Sequence, residues 1–186
     1  MKLEEQLEKL AELGFTLNEG VTIDDLLYSL PREVYEEEPF GYLLSMFGAC
    51  VEREPWNRDI CSRVWKFDTE CIYGKGNYTS IVKRLCLVAN KPNLITDIKD
   101  FVDIDSKEAW LEYKIKGEQR HWTIEVDNDW VDMWTISYIM EDIEEDAFHF
   151  YSLGSGQLML LFYLDETGAS LINKLSNGVL QRITPS

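Results

Sequence analysis

From Glu108 to Lys116 apolar and polar residues alternate. Ala109, Leu111, Tyr113 and Ile115 point one way; Glu108, Glu112, Lys114 and Lys116 point the other. Period two predicts a half-buried strand. Gly117-Glu118 then reads as a two-residue type II′ turn with glycine in the first central position. Such a turn pairs Ile115 with Arg120, Tyr113 with Trp122, Leu111 with Ile124 and Ala109 with Val126, which brings both apolar sets to one face. The opposite face carries Trp110, Glu112, Lys114, His121, Thr123 and Glu125, and is wet except at Trp110. That indole either lies under a neighbouring segment or anchors a contact.

Helical spacing dominates the start of the chain. Residues 2–13 place Leu3, Leu7, Leu10 and Ala11 on one side and stop at Gly14. Thr22 to Asp25 resembles a capping box and opens a short helix that ends before Pro31. Pro39 precedes a third helix, Phe40 to Phe47, closed by Gly48, although a strand also fits that run. Ala49 to Arg53, Arg63 to Thr69 and Ile98 to Ile104 read as strands. Asn77 caps a helix through Ala89 with Tyr78, Ile81, Val82, Leu85 and Val88 inward. Asp132 caps a helix with the stripe Met133, Ile136, Met140, Ile143 and Ala147. Phe148 to Leu153 and Gln157 to Leu164 are strands, and Leu158 to Phe162 is apolar on both sides, which places it centrally in a sheet. A last helix runs near Thr167 to Leu175 and ends at Gly178. The predicted fold is a single α+β domain over residues 1–186. A helical N-terminal third packs on a mostly antiparallel, mixed sheet of about six or seven strands.

Charge changes this picture more than composition does. The formal net charge is −16 and the pI is near 4.5. Residues 1–60 hold 14 acidic and 5 basic residues, 61–100 hold 4 and 7, 101–150 hold 14 and 4, and 151–186 hold 2 and 2. Two acidic blocks therefore flank a mildly basic one. Such a charge repels phosphate backbones and anionic membranes, which disfavours nucleic-acid and membrane partners. Cys50, Cys61, Cys71 and Cys86 form no CxxC pair and match no zinc spacing. Met1 to Glu5 is charged and amphipathic, unlike a signal peptide, and no apolar run reaches membrane-spanning length. A cytosolic protein with reduced thiols is expected.

The candidate chemistry is thin. Glu112 and Lys114, with Asp97, Asp100 or Asp103 upstream, imitate the carboxylate and lysine core of metal-dependent nucleases. An alternating strand also generates Glu-x-Lys freely on its wet face. Asp127-Asn128-Asp129 begins like a calcium loop but fails at Val131, Asp132 and Tyr138. His121 and His149 belong to no HExxH pattern, and Ser155 sits in a Gly-Ser-Gly turn. No cofactor or metal is predicted. The helix after Asp132 gives a different signal: its last turns are expected to hold Glu141, Asp142, Glu144, Glu145 and Asp146. Acids at a helix C-terminus oppose the macrodipole at about 0.3–1 kcal/mol each when exposed. They point to a partner-binding surface, together with Asp127, Asp129 and Trp130.

Leu13 to Leu17, then Leu30 to Tyr35, then Leu43, Leu44 and Gly48 resemble the opening of the SUKH superfamily. The resemblance covers roughly a quarter of the chain, and Glu36 to Pro39 departs from the pattern as an insertion. It implies a helical start, a mixed sheet and a role like that of bacterial immunity proteins. The resulting expectation is a non-catalytic acidic domain that binds a basic protein such as a toxin. The alternative is a metal-dependent nuclease or other hydrolase using Glu112 and Lys114.

Overall fold

The computed structural model describes residues 1–176 and 178–184. Helices α1 (Leu3–Glu12), α2 (Ile23–Ser29), α3 (Arg32–Glu37) and α4 (Gly41–Phe47) come first. Strand β1 (Val64–Asp68) and helix α5 (Asn77–Val88) precede the meander β2 (Ile95–Asp103), β3 (Glu108–Ile115) and β4 (Glu118–Thr123). Helix α6 (Met133–Ile143), strands β5 (His149–Leu153) and β6 (Leu158–Leu164), helix α7 (Glu166–Ser176) and strand β7 (Gln181–Arg182) follow.

The fold is α+β, as the patterning predicts. The strands nevertheless divide into two sheets, ordered β1-β6-β5-β7 and β2-β3-β4, and the pairings in both are antiparallel rather than mixed. Helices are not confined to the N-terminal third. The run Leu158 to Phe162 is central, with β6 between β1 and β5. Its alternation explains the layering. Met159, Leu161 and Tyr163 enter a core shared with α5, α6 and the inner face of β2 to β4. Leu160, Phe162 and Leu164 enter a second core with α1, α2, α4 and α7. A strand buried on both faces is apolar at every position because each parity has its own core. Helix α5 touches β2 on one side and β1 and β6 on the other, so it lies between the sheets.

Three local expectations are corrected. The hairpin turns at Lys116-Gly117, not Gly117-Glu118: Ile115 faces Glu118, Tyr113 faces Arg120 and Leu111 faces Trp122. Lys116 (φ 51°) and Gly117 (φ 84°) are both left-handed, the signature of type I′, whose twist suits a right-twisted hairpin. The shift is two residues, so parity survives and Ala109, Leu111, Tyr113, Ile115 and Ile124 are still buried together. Ala49 to Arg53 is not a strand; it contributes an isolated bridge, Cys50 to Asp59. Helix α6 stops at Ile143, four residues short of Ala147. Lys91 Nζ donates to the Ile143 carbonyl (3.0 Å) and satisfies the helix end with a cation. Glu144 turns extended (φ −61°, ψ 153°), and its carboxylate accepts from the Phe150 N–H (2.7 Å) on β5.

Candidate protein-binding surface

The loop before α6 is held by its main chain. Ile72 N–H donates to the Asp129 carbonyl (2.9 Å), Val131 N–H donates to Thr69 (2.8 Å), and Trp130 bridges to Glu70. Asn128 adopts φ 51°, so Trp130 N–H closes back on the Asp127 carbonyl (3.0 Å). With the backbone satisfied internally, the Asp127, Asn128 and Trp130 side chains are left exposed, while Val131 enters the core. Asp132 accepts from Trp134 N–H (3.0 Å) and Thr135 Oγ1 (2.7 Å) and caps α6 as predicted. Glu125, Asp127, Trp130, Val131, Asp132 and Met133 line an open hollow of about 300 Å³. Among the described residues, Glu125, Asp127 and Asp129 form no ion pair. Trp130 is 39% exposed beside them.

The acids expected at the end of α6 do not form one surface. Asp142 is turned inward: it accepts from Tyr113 Oη (2.7 Å) and pairs with Arg120 Nε (3.1 Å). Burial, and then the Asp142 carboxylate, raise the Tyr113 phenol far above its ordinary range. Asp142 and Glu118 likewise raise the Arg120 guanidinium. Glu144 is 9% exposed at its side chain and gathers His149 Nδ1 (2.9 Å), Thr184 Oγ1 (2.8 Å) and Arg182 (3.4 Å). Glu145 pairs with Lys91 (2.9 Å), whose hydrogen bond and charge lower its carboxyl below the usual value. Glu141 and Asp146 are exposed and form no ion pair among the described residues. The eight predicted residues thus separate into an open group before α6, an open pair at its far end, and three acids occupied by internal partners.

Glu112 and Lys114 stand on the outer face of β3, but their surroundings do not converge. Glu112 meets His121 Nδ1 (3.1 Å), and Lys114 pairs with Asp97 (2.7 Å). Asp100 is buried and accepts from the Gly76 (2.9 Å) and Thr79 (3.2 Å) N–H groups at the start of α5. Asp103 accepts from Asp105 N–H (3.1 Å) in the following turn. Among the described residues no group of three or more His, Cys, Asp or Glu side chains is placed to hold a metal ion. Trp110 is half-buried in a row with Phe101 and His121, its centroid 6.2 Å from each.

Sequence reasoning passed over Trp134, Tyr138 and Trp122. Trp134 and Tyr138 lie one turn apart on the solvent side of α6, 71% and 40% exposed. Trp122 of β4 stacks on Tyr138, with centroids 4.9 Å apart and planes 14° apart. The signal was available: α6 is apolar around most of its circumference, which a single core does not require. Comparison with protein-family models, curated proteins and solved structures gives no match to this chain. Among the described residues no helix is long and apolar enough to cross a membrane.

Proposed function

We propose that the chain is a non-catalytic, cytoplasmic protein-binding domain that neutralises a basic toxin in the manner of an immunity protein. The observation that carries this reading is the loop before α6, where, among the described residues, Glu125, Asp127 and Asp129 stand without basic partners beside an exposed Trp130. Asp25, Asp142 and Glu144, by contrast, are held by internal partners. Open carboxylates speed and orient the approach of a basic surface, and a Trp that becomes desolvated supplies affinity. The charge of −16 extends the attraction beyond the contact. The four free cysteines suit a reducing compartment. The resemblance of the Leu13 to Gly48 region to the SUKH superfamily points to the same role.

The test pairs this chain with the product of the gene adjacent to its own. Co-expression is expected to relieve that product's toxicity, and Asp127→Lys with Asp129→Lys is expected to abolish the relief without unfolding the chain. Magnesium-dependent cleavage of nucleic acid by the purified chain, lost in both Glu112→Ala and Lys114→Ala, would establish the hydrolase instead.

A further inference from the structure

Most of helix α6 is buried, and one side is exposed. Ile136, Ile139, Met140 and Ile143 are fully buried, whereas Trp134 is 71% exposed. A solvent-facing helix side is ordinarily polar. Here it presents Trp134, Tyr138 and Glu141, one turn apart, with Trp122 of β4 stacked against Tyr138. The strip is rigid. Trp122 Nε1 donates to Tyr113 Oη (3.1 Å), and Tyr113 donates to Asp142, which holds Arg120. Fixed aromatic rings lose little freedom on contact, which is what a binding centre requires. Open acids flank the strip along the chain: Glu125, Asp127 and Asp129 precede α6, Glu141 lies in its last turn and Asp146 follows its end, the helix itself spanning some 15 Å at 1.5 Å per residue.

We infer that the exposed side of α6, with Trp122, Trp134 and Tyr138 at its centre, is the docking face for a protein surface that has an apolar centre within a Lys/Arg surround. This rests on the protein-binding reading above and adds the centre of the interface and the shape of its complement. A second copy of this chain would set acidic rim against acidic rim, so charge complementarity selects a basic partner. The rim governs the rate of approach, and the aromatic strip governs the lifetime of the complex.

Three helical peptides of about 18 residues serve as probes. One has a Lys rim and a Leu face, one has the same Lys positions with Ser replacing Leu, and one has a Glu rim with the Leu face. The chain is expected to bind the first at least tenfold more tightly than the second and to show no binding of the third. Trp134→Ala with Tyr138→Ala should weaken the first peptide at least tenfold through faster dissociation, with the helical circular dichroism retained. Asp127→Asn with Asp129→Asn should instead slow association, by a factor that shrinks as salt rises. Binding lost to Asp127→Asn with Asp129→Asn but indifferent to the aromatic pair would overturn the strip and leave the acidic loop as the interface. Equal affinity for the first two peptides would also overturn the strip. Equal affinity for the first and third would overturn the charge argument, and failure of all three would overturn the docking face, while the co-expression test alone decides the protein-binding reading. Sedimentation of the chain alone as a dimer that Trp134→Ala dissolves would assign the face to self-association instead.

Discussion

Asp25 shows how one side chain can hold an irregular region. Its carboxylate is 2% exposed and accepts from Thr22 N–H (2.8 Å), Arg53 Nε (2.8 Å) and Arg58 (3.2 Å). Burial alone would raise its carboxyl; the Thr22 amide and the two guanidiniums outweigh burial and hold it far below the usual range. The segment that Ala49 to Arg53 was expected to form as a strand is thus tied down by charge instead. Asp25→Asn is expected to cost about 3 kcal/mol at pH 7, the usual penalty for breaking a buried pair from one side. Because the folded value is depressed, this stability is complete above the unfolded value, near 4, and is lost as pH falls below it. Urea melts from pH 7 down to pH 3 should show a constant gap between wild type and variant that narrows only below about pH 4. Gly48 makes a second point at this scale. Sequence pattern assigns it to stopping α4, yet its φ of −79° suits any residue. A Cβ there would lie 2.6 Å from the Lys66 main-chain nitrogen, which donates to the Gly48 carbonyl. Gly48→Ala should therefore lose about 1–3 kcal/mol by overpacking, seen as a lower melting temperature.

The hairpin β3–β4 was legible in the sequence because alternation fixes parity, and parity decides which side chains are buried. Its register was not legible, because type I′ and type II′ turns both use two residues and differ in which of them is glycine. The structure places Lys116 at φ 51°, a conformation that Asn adopts more readily. Lys116→Asn should raise stability by about 0.5 kcal/mol, and Gly117→Val should lower it by 1 kcal/mol or more, since a β-branched residue resists positive φ. Opposite shifts in paired thermal melts are the expected result; equal shifts would contradict the turn. For α6, the inward stripe from Met133 to Ile143 was readable from its three-and-four spacing, and so was the Asp132 cap. The end was not, because Lys91 and Phe150, which terminate the helix, come from α5's exit and β5. The same long-range partners decide which acids are open, so the candidate surface was half visible: Asp127, Asp129 and Trp130 could be named, whereas Asp142, Glu144 and Glu145 could not be recognised as occupied.

Across the whole molecule, that distinction reverses an expectation about charge. Five uncompensated acids at the end of a helix would make their neutralisation stabilising. Glu144 instead joins α6 to β5 and to Arg182 and Thr184 at the last strand, and Glu145 holds Lys91. The triple change Glu141→Gln, Glu144→Gln and Glu145→Gln should lower stability by about 2 kcal/mol, mostly through unpaired donors around Glu144. Glu141→Gln alone should be within about 0.5 kcal/mol of wild type, as surface substitutions usually are. Chemical denaturation of both variants checks the pair. The order β1-β6-β5-β7 also has a bearing on synthesis. Among the described residues β1 pairs with β6 alone, Val64 opposite Phe162, so β1 waits unpaired until β6 has emerged from the ribosome. The local meander β2-β3-β4 has no such delay. In a nascent chain that ends short of β6, Phe67 and Val64 lack the strand that divides the two cores, and the β1 edge is open to other chains. Stalled or truncated products are therefore where aggregation of this protein should begin, and β1 is the segment at which chaperones should bind them.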